Sequence, residues 1–142
     1  VYMSFKQQSK VNLDIALYLH NLNDENIGKL GKINKRELAS VIINRLYYGV
    51  FLMAKELVKV NGEMLSREHS DVWRQIYQLL TKKPIDLVLL NSFQGSVDLL
   101  RTMRNTYDYE EYLNFGEDKI KRAIDKSFKY KQEIYDMLSQ YI

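Results

Sequence analysis

The chain of 142 residues has no cysteine, one proline, six glycines and two histidines. Without cysteine there are no disulfides, no thiolate metal site and no cysteine nucleophile. This fits a reducing compartment. One proline and few glycines exclude collagen-like and loop-dominated designs. Two histidines leave little for a histidine-based metal site, and no metal or cofactor is expected. No apolar run approaches the roughly 18 residues of a membrane span, and Val1 to Lys10 lack a basic-then-apolar leader pattern. A soluble cytoplasmic protein that does not engage a membrane is the expectation. Charge of one sign is also scarce, with 21 Lys and Arg against 18 Asp and Glu. That balance permits nucleic-acid contact without requiring it. There is no phosphate-cradling glycine loop, dinucleotide fingerprint or paired histidine on one helix. Hydrophobic and charged fractions of 46% and 27% are those of an ordinary globular protein and exclude a disordered one.

What is present is helical periodicity. A first helix is predicted over about 9–23, with Val11, Ile15, Tyr18, Leu19 and Leu22 on one face. Asn21 to Asn26, then Gly28 and Gly31, read as a polar break. A second helix begins at Asn34, where Glu37 completes a capping-box pattern, and stops near Asn61–Gly62. It carries two adjacent apolar stripes. One is Leu38, Ile42, Leu46, Val50, Met53 and Leu57. The other is Ala39, Ile43, Tyr47, Phe51, Ala54 and Val58. Arg45 is the one charge between Glu37 and Lys55, so this helix belongs at the centre of a bundle. Gly49 weakens it by about 1 kcal/mol relative to Ala, and close approach of a neighbour would offset that.

A third helix starts near Ser66 or Ser70, with one of these serines as its cap. It buries Val72, Trp73, Ile76, Leu79 and Leu80, and ends at Thr81–Pro84. A fourth runs over about 85–107, with Leu89, Phe93, Val97, Leu100 and Met103 inward and a kink or split at Gly95. After an acidic, Tyr-rich stretch and a break at Asn114–Gly116, a last helix runs from about Glu117 to the end. Its stripe is Ile120, Ile124, Phe128, Ile134, Leu138 and Tyr141. The fold class is all-α, an antiparallel bundle of four to five helices in a single domain covering 1–142.

The densest polar cluster is Arg101 to Tyr109. Arg101, Arg104 and Asp108 share one helical face. Two guanidiniums one turn apart suit a phosphate or carboxylate, because each offers paired planar donors. Asp108 can pair with Arg104, which would make the cluster an ordinary intrahelical salt bridge. Arg45 is a second candidate, either holding an acidic group or extending its head to solvent. His69 is a possible general base or simply part of a helix start, and His20 lies near a helix end. Lys119, Lys121, Arg122, Lys126, Lys129 and Lys131 make the last helix basic. Asp118, Asp125 and Glu133 interrupt it, which favours a solvated face. Tyr47, Tyr48, Tyr107, Tyr109 and Tyr112 can stack bases or fill the core.

Two segments together resemble a known family. Arg45-Leu46-Tyr47-Tyr48-Gly49-Val50-Phe51-Leu52-Met53-Ala54 is similar to the second-helix signature of small HEPN-like proteins. Arg104-Asn105-Thr106-Tyr107-Asp108-Tyr109 is similar to the Arg-Asn-x-x-Asp-Tyr end of their fourth helix, and His69-Ser70 to the start of their third. The resemblance implies a dimerising helical bundle in a toxin–antitoxin or defence setting. It implies RNA or a nucleotide as ligand, and a nucleotidyltransferase as a possible partner protein. Active ribonuclease members carry an Arg followed a few residues later by His, and the pairs of two subunits share a cleft. Here Arg104 and Asn105 stand, but position 109 is Tyr. A phenol with a pKa near 10 poorly replaces a group that moves protons at neutral pH. The expectation is therefore an RNA- or nucleotide-binding protein without full ribonuclease activity. Arg101, Arg104, Asn105, Asp108 and Tyr109 would form the binding or dimer cleft, with Arg45, Tyr48 and His69 as secondary candidates. A metal-independent endoribonuclease with a divergent site, or a protein partner of a nucleotidyltransferase, are the alternatives.

Overall fold

A computed structural model describes residues 3–22, 24–31 and 33–142, Asp24 by its backbone alone. Val1, Tyr2, Asn23 and Lys32 lie outside the described residues, including the end predicted for the first helix at 23 and the first two residues of the leader reading. The chain is all-helical, with no strand among the described residues. The helices are α1 (Phe5–His20), α2 (Asp24–Gly28), α3 (Lys35–Val60), α4 (His69–Thr81), α5 (Leu87–Tyr107) and α6 (Glu117–Ser139). A 3-10 turn, Glu110–Asn114, joins the last two.

The central helix is α3. Asn34 caps it by accepting from the Glu37 N–H at 2.9 Å. Its end is held by Gly62, whose φ of 74° lets the Glu63 N–H reach back to the Val58 carbonyl at 3.2 Å. Every residue of both apolar stripes is buried. The helix has the length and hydropathy of a membrane span, more than the run of apolar residues suggests, but those residues face the other helices. Its first half packs with α1, α2 and the start of α6. Its second half packs with α4, α5 and the end of α6.

α1 runs antiparallel to α3: Phe5 lies by Lys55 and Lys59, Asn12 by Arg45. The two touch at Gly49. The Ser9 hydroxyl donates to the Gly49 carbonyl at 2.6 Å, and a Cβ on Gly49 would collide with the Leu13 side chain. This is the close approach that a glycine inside an apolar helix implies. It also corrects the reading of α1. The helix starts earlier, at Phe5, because Ser4 and Gln7 form a capping box that the apolar spacing does not reveal. The face turned to α3 buries Ser9 and Ala16 and sets Leu13 against Gly49. Val11, Ile15 and Tyr18 are turned outward, Tyr18 being 66% exposed.

Other departures are local. The polar break contains the single turn α2, which buries Ile27. α4 has Glu68 as its cap residue, without a side-chain cap bond. Ser66 instead accepts from the Glu68 N–H and donates to Asp71, so neither serine caps the helix. α5 is continuous through Gly95. Asp86 caps it through the Val88 N–H, and in the resulting register Leu90 is buried while Leu89 is 57% exposed. The other inward positions of α4, α5 and α6 are buried, with Met103, Phe128 and Tyr141 partly so.

The two interior glycines of α3 and α5 should respond oppositely to substitution. Gly49→Val is expected to destabilise by about 1–3 kcal/mol through overpacking against Leu13. At Gly95 nothing lies within 4 Å of a built Cβ, so Gly95→Ala should stabilise by up to about 1 kcal/mol. Urea unfolding followed by circular dichroism measures both.

Candidate functional site

The site forms where α3, the head of α4 and the last turns of α5 meet. α3 supplies Tyr47, Tyr48, Phe51 and Lys55 along one side, by helical steps of three and four. Tyr47 and Phe51 are buried, while Tyr48 and Lys55 reach partly to the surface. α4 begins at His69, so His69 and Trp73 lie one turn apart and both face Phe51 and Tyr47. The His69 ring stacks on Phe51 at 3.9 Å between centroids, and Tyr48 meets it edge-on. The Trp73 indole N–H donates to the Tyr47 hydroxyl at 3.1 Å, and that hydroxyl lies 3.3 Å from His69 Nδ1.

α5 brings the cations. The Arg104 guanidinium sits 4.7 Å over the Tyr47 ring and 6.0 Å from that of Tyr48. Stacking of this kind contributes about 0.5–2 kcal/mol. Asp108 approaches Arg104 Nε to only 3.7 Å, and Asn105 accepts from the guanidinium at 3.3 Å. Nε itself is buried without a hydrogen bond. The salt bridge predicted from spacing is thus present but loose. Arg101, half-buried, makes no hydrogen bond or ion pair among the described residues.

The electrostatics follow from this crowding. Burial pushes the Tyr47 phenol up, so it stays protonated near neutrality. Burial also lowers the His69 pKa, and Arg104, Lys55 and Arg101 lower it further, opposed by Glu68. The imidazole is therefore held neutral. Chemically, the cleft combines two guanidiniums, a neutral histidine and aromatic faces.

Of the residues singled out from the sequence, Arg101, Arg104, Asn105, Asp108, Tyr48 and His69 come together. Two do not. Tyr109 lies past the end of α5, is 66% exposed and makes no ring contact with the cluster. Arg45 points elsewhere, donating to Asn12 on α1 at 3.0 Å. Tyr107 and Tyr112 belong to the core, at 5.1 Å from one another. His20 stacks on Phe128, away from the cluster. Most of the basic residues of α6 are solvent-exposed, as the interrupting acids suggested. Trp73 and Phe51 were read from the sequence only as core. Their spacing with His69 and Tyr47 is a visible signal, but its meaning depends on α4 crossing α3 at this point. Two concavities of about 440 and 470 Å³ lie elsewhere and include no residue of the cluster. The cluster lies at a helix junction outside both. Among the described residues no group of three or more His, Asp or Glu comes together to hold a metal ion. Comparison with protein-family models, curated proteins and solved structures finds no match.

The lowered His69 pKa carries a sign for stability. The fold favours neutral imidazole, so the unfolded chain binds more protons below about pH 6.5. Its contribution is complete above that pH and is lost as pH falls through the folded-state value. Thermal midpoints should drop less between about pH 7.5 and 5 in His69→Gln than in wild type. The difference between the two, followed by circular dichroism, isolates His69 from the carboxylates that titrate alongside it.

Proposed function

We propose that this chain is a HEPN-like RNA-binding protein that grips the phosphate backbone at the Arg101–Arg104 cleft, without full ribonuclease activity, in a toxin–antitoxin or defence setting. One observation carries the reading: Arg101 is half-buried with no carboxylate partner among the described residues, one turn from an Arg104 whose guanidinium lies over the Tyr47 ring. A partly desolvated cation without a counter-charge is costly, and a bound phosphate oxyanion offsets that cost. Tyr48 and His69 at the rim offer faces on which bases stack. HEPN-like membership rests on the two motif segments, which lie on α3 and the end of α5 and line the same cleft. That membership brings with it a homodimer in which two such clefts converge.

A second reading, a metal-independent endoribonuclease with a divergent site, is favoured by His69. It supplies an imidazole beside the guanidiniums although position 109 is Tyr.

Anisotropy of fluorescently labelled single-stranded RNA tests the binding reading. Arg104→Ala and Arg101→Ala should each weaken binding about tenfold or more, corresponding to roughly 1–3 kcal/mol, and flatten the salt dependence by about one charge. Arg45→Ala, outside the cleft, should bind like wild type. Equal affinity of all four proteins removes the proposal. Cleavage of the same RNA in the presence of a chelator, abolished by Arg104→Ala, would put the ribonuclease reading in its place.

A further inference from the structure

We propose that the Trp73–Tyr47–His69 chain fixes the His69 imidazole as its Nε2–H tautomer. The cleft then presents a phosphate oxyanion with three donors, two guanidiniums and this N–H, and no imidazole base. This deepens the binding reading above and rests on it for the ligand.

The argument starts from the indole, which can only donate. Its N–H points at the Tyr47 oxygen at 3.1 Å, so that oxygen accepts. Among the described residues the one other partner of the hydroxyl is His69 Nδ1 at 3.3 Å. Tyr47 is 1% exposed, so solvent offers its proton no alternative. The hydroxyl therefore donates to Nδ1, and Nδ1 accepts. A neutral imidazole that accepts at Nδ1 carries its proton at Nε2. The opposite tautomer would aim two N–H groups at the phenol oxygen and leave the buried O–H without an acceptor.

The same geometry resists a second proton on the ring. The charged and titratable groups facing His69 are Tyr47, Tyr48 and Lys55 from α3, Arg101 and Arg104 from α5, and Glu68 at the head of α4. Three cations outweigh one carboxylate. Nε2 makes no hydrogen bond among the described residues and reaches the surface. It is thus a free donor within reach of the field of both guanidiniums. In this state His69 has no lone pair to offer a substrate hydroxyl, so Tyr47 and Trp73 are positioning residues for binding rather than parts of a proton relay into solvent.

The test is long-range 1H–15N correlation spectroscopy of the uniformly labelled protein at about pH 7.5, above the ordinary histidine pKa. His20 is the one other histidine, so His20→Gln assigns the spectrum. The expected pattern is an unprotonated Nδ1 and a protonated Nε2 for His69. A protonated Nδ1 overturns the proposal. Tyr47→Phe, which removes a single oxygen, should release the ring into a mixture of tautomers and raise its titration midpoint. An unchanged tautomer in that variant also overturns it. If Tyr47→Phe does not fold, the wild-type pattern decides alone. Inorganic phosphate should move the Nε2–H signal of the folded wild type, and an unmoved signal refutes the donor role. The tautomer is read without RNA, so failure of RNA binding would leave this result standing and discard only the reading of the ligand.

Discussion

The burial of α3 is the constraint on which the rest of this molecule depends. Two adjacent apolar stripes cover more of a helix surface than one neighbour can shield. Five further helices are drawn around it. α1, α2 and the start of α6 close over the first half; α4, α5 and the end of α6 close over the second. The contacts are specific as well as apolar. The missing side chain at Gly49 admits α1 to within a hydrogen bond of the α3 backbone. That one approach fixes which face of α1 is inside, and it overrides the larger hydrophobic residues on the opposite face.

The candidate cleft is a by-product of the same packing. α3 carries its aromatic residues from the core out to the surface, Phe51 and Tyr47 inside, Tyr48 at the edge. Where α4 starts, its first residue and its fifth, His69 and Trp73, are pressed onto those rings. α5 then lays Arg104 over the Tyr47 ring. A buried phenol, a neutral imidazole and two guanidiniums are neighbours because three helices converge. Burial raises the phenol pKa against the pull of the guanidiniums, and burial together with the guanidiniums lowers that of the imidazole. The cations favour an anion and disfavour a charged histidine, which is a coherent arrangement for holding phosphate.

Much of the architecture is legible in the residues. The Asn34 cap, the glycine stop at Gly62 and both α3 stripes can be read because caps and periodicity are local. The inward face of α4 follows for the same reason, as does the start of α6 after Gly116. The misreadings share a cause. In α1, bulk pointed to Val11, Ile15 and Tyr18, whereas the inward face was chosen by the space available at Gly49. In α5, Leu89 and Leu90 are equally apolar, and the register set with the Asp86 cap turned Leu90 inward. Apolar spacing ranks faces; it does not know what the opposite surface will accept.

The chain order of residues determined the helices, the central place of α3 and the pairing of Arg101 with Arg104 on one face, since each of these depends on neighbours within a turn or two. Only the tertiary structure decided that His69 and Trp73 join Tyr47 under Arg104, and that Tyr109 and Arg45 stand apart. Those residues come from different helices, and their meeting is set by where α4 and α5 cross α3. A hydrogen-bond chain such as Trp73 to Tyr47 to His69 has no local signature, because its geometry exists only once the packing has brought the three rings together.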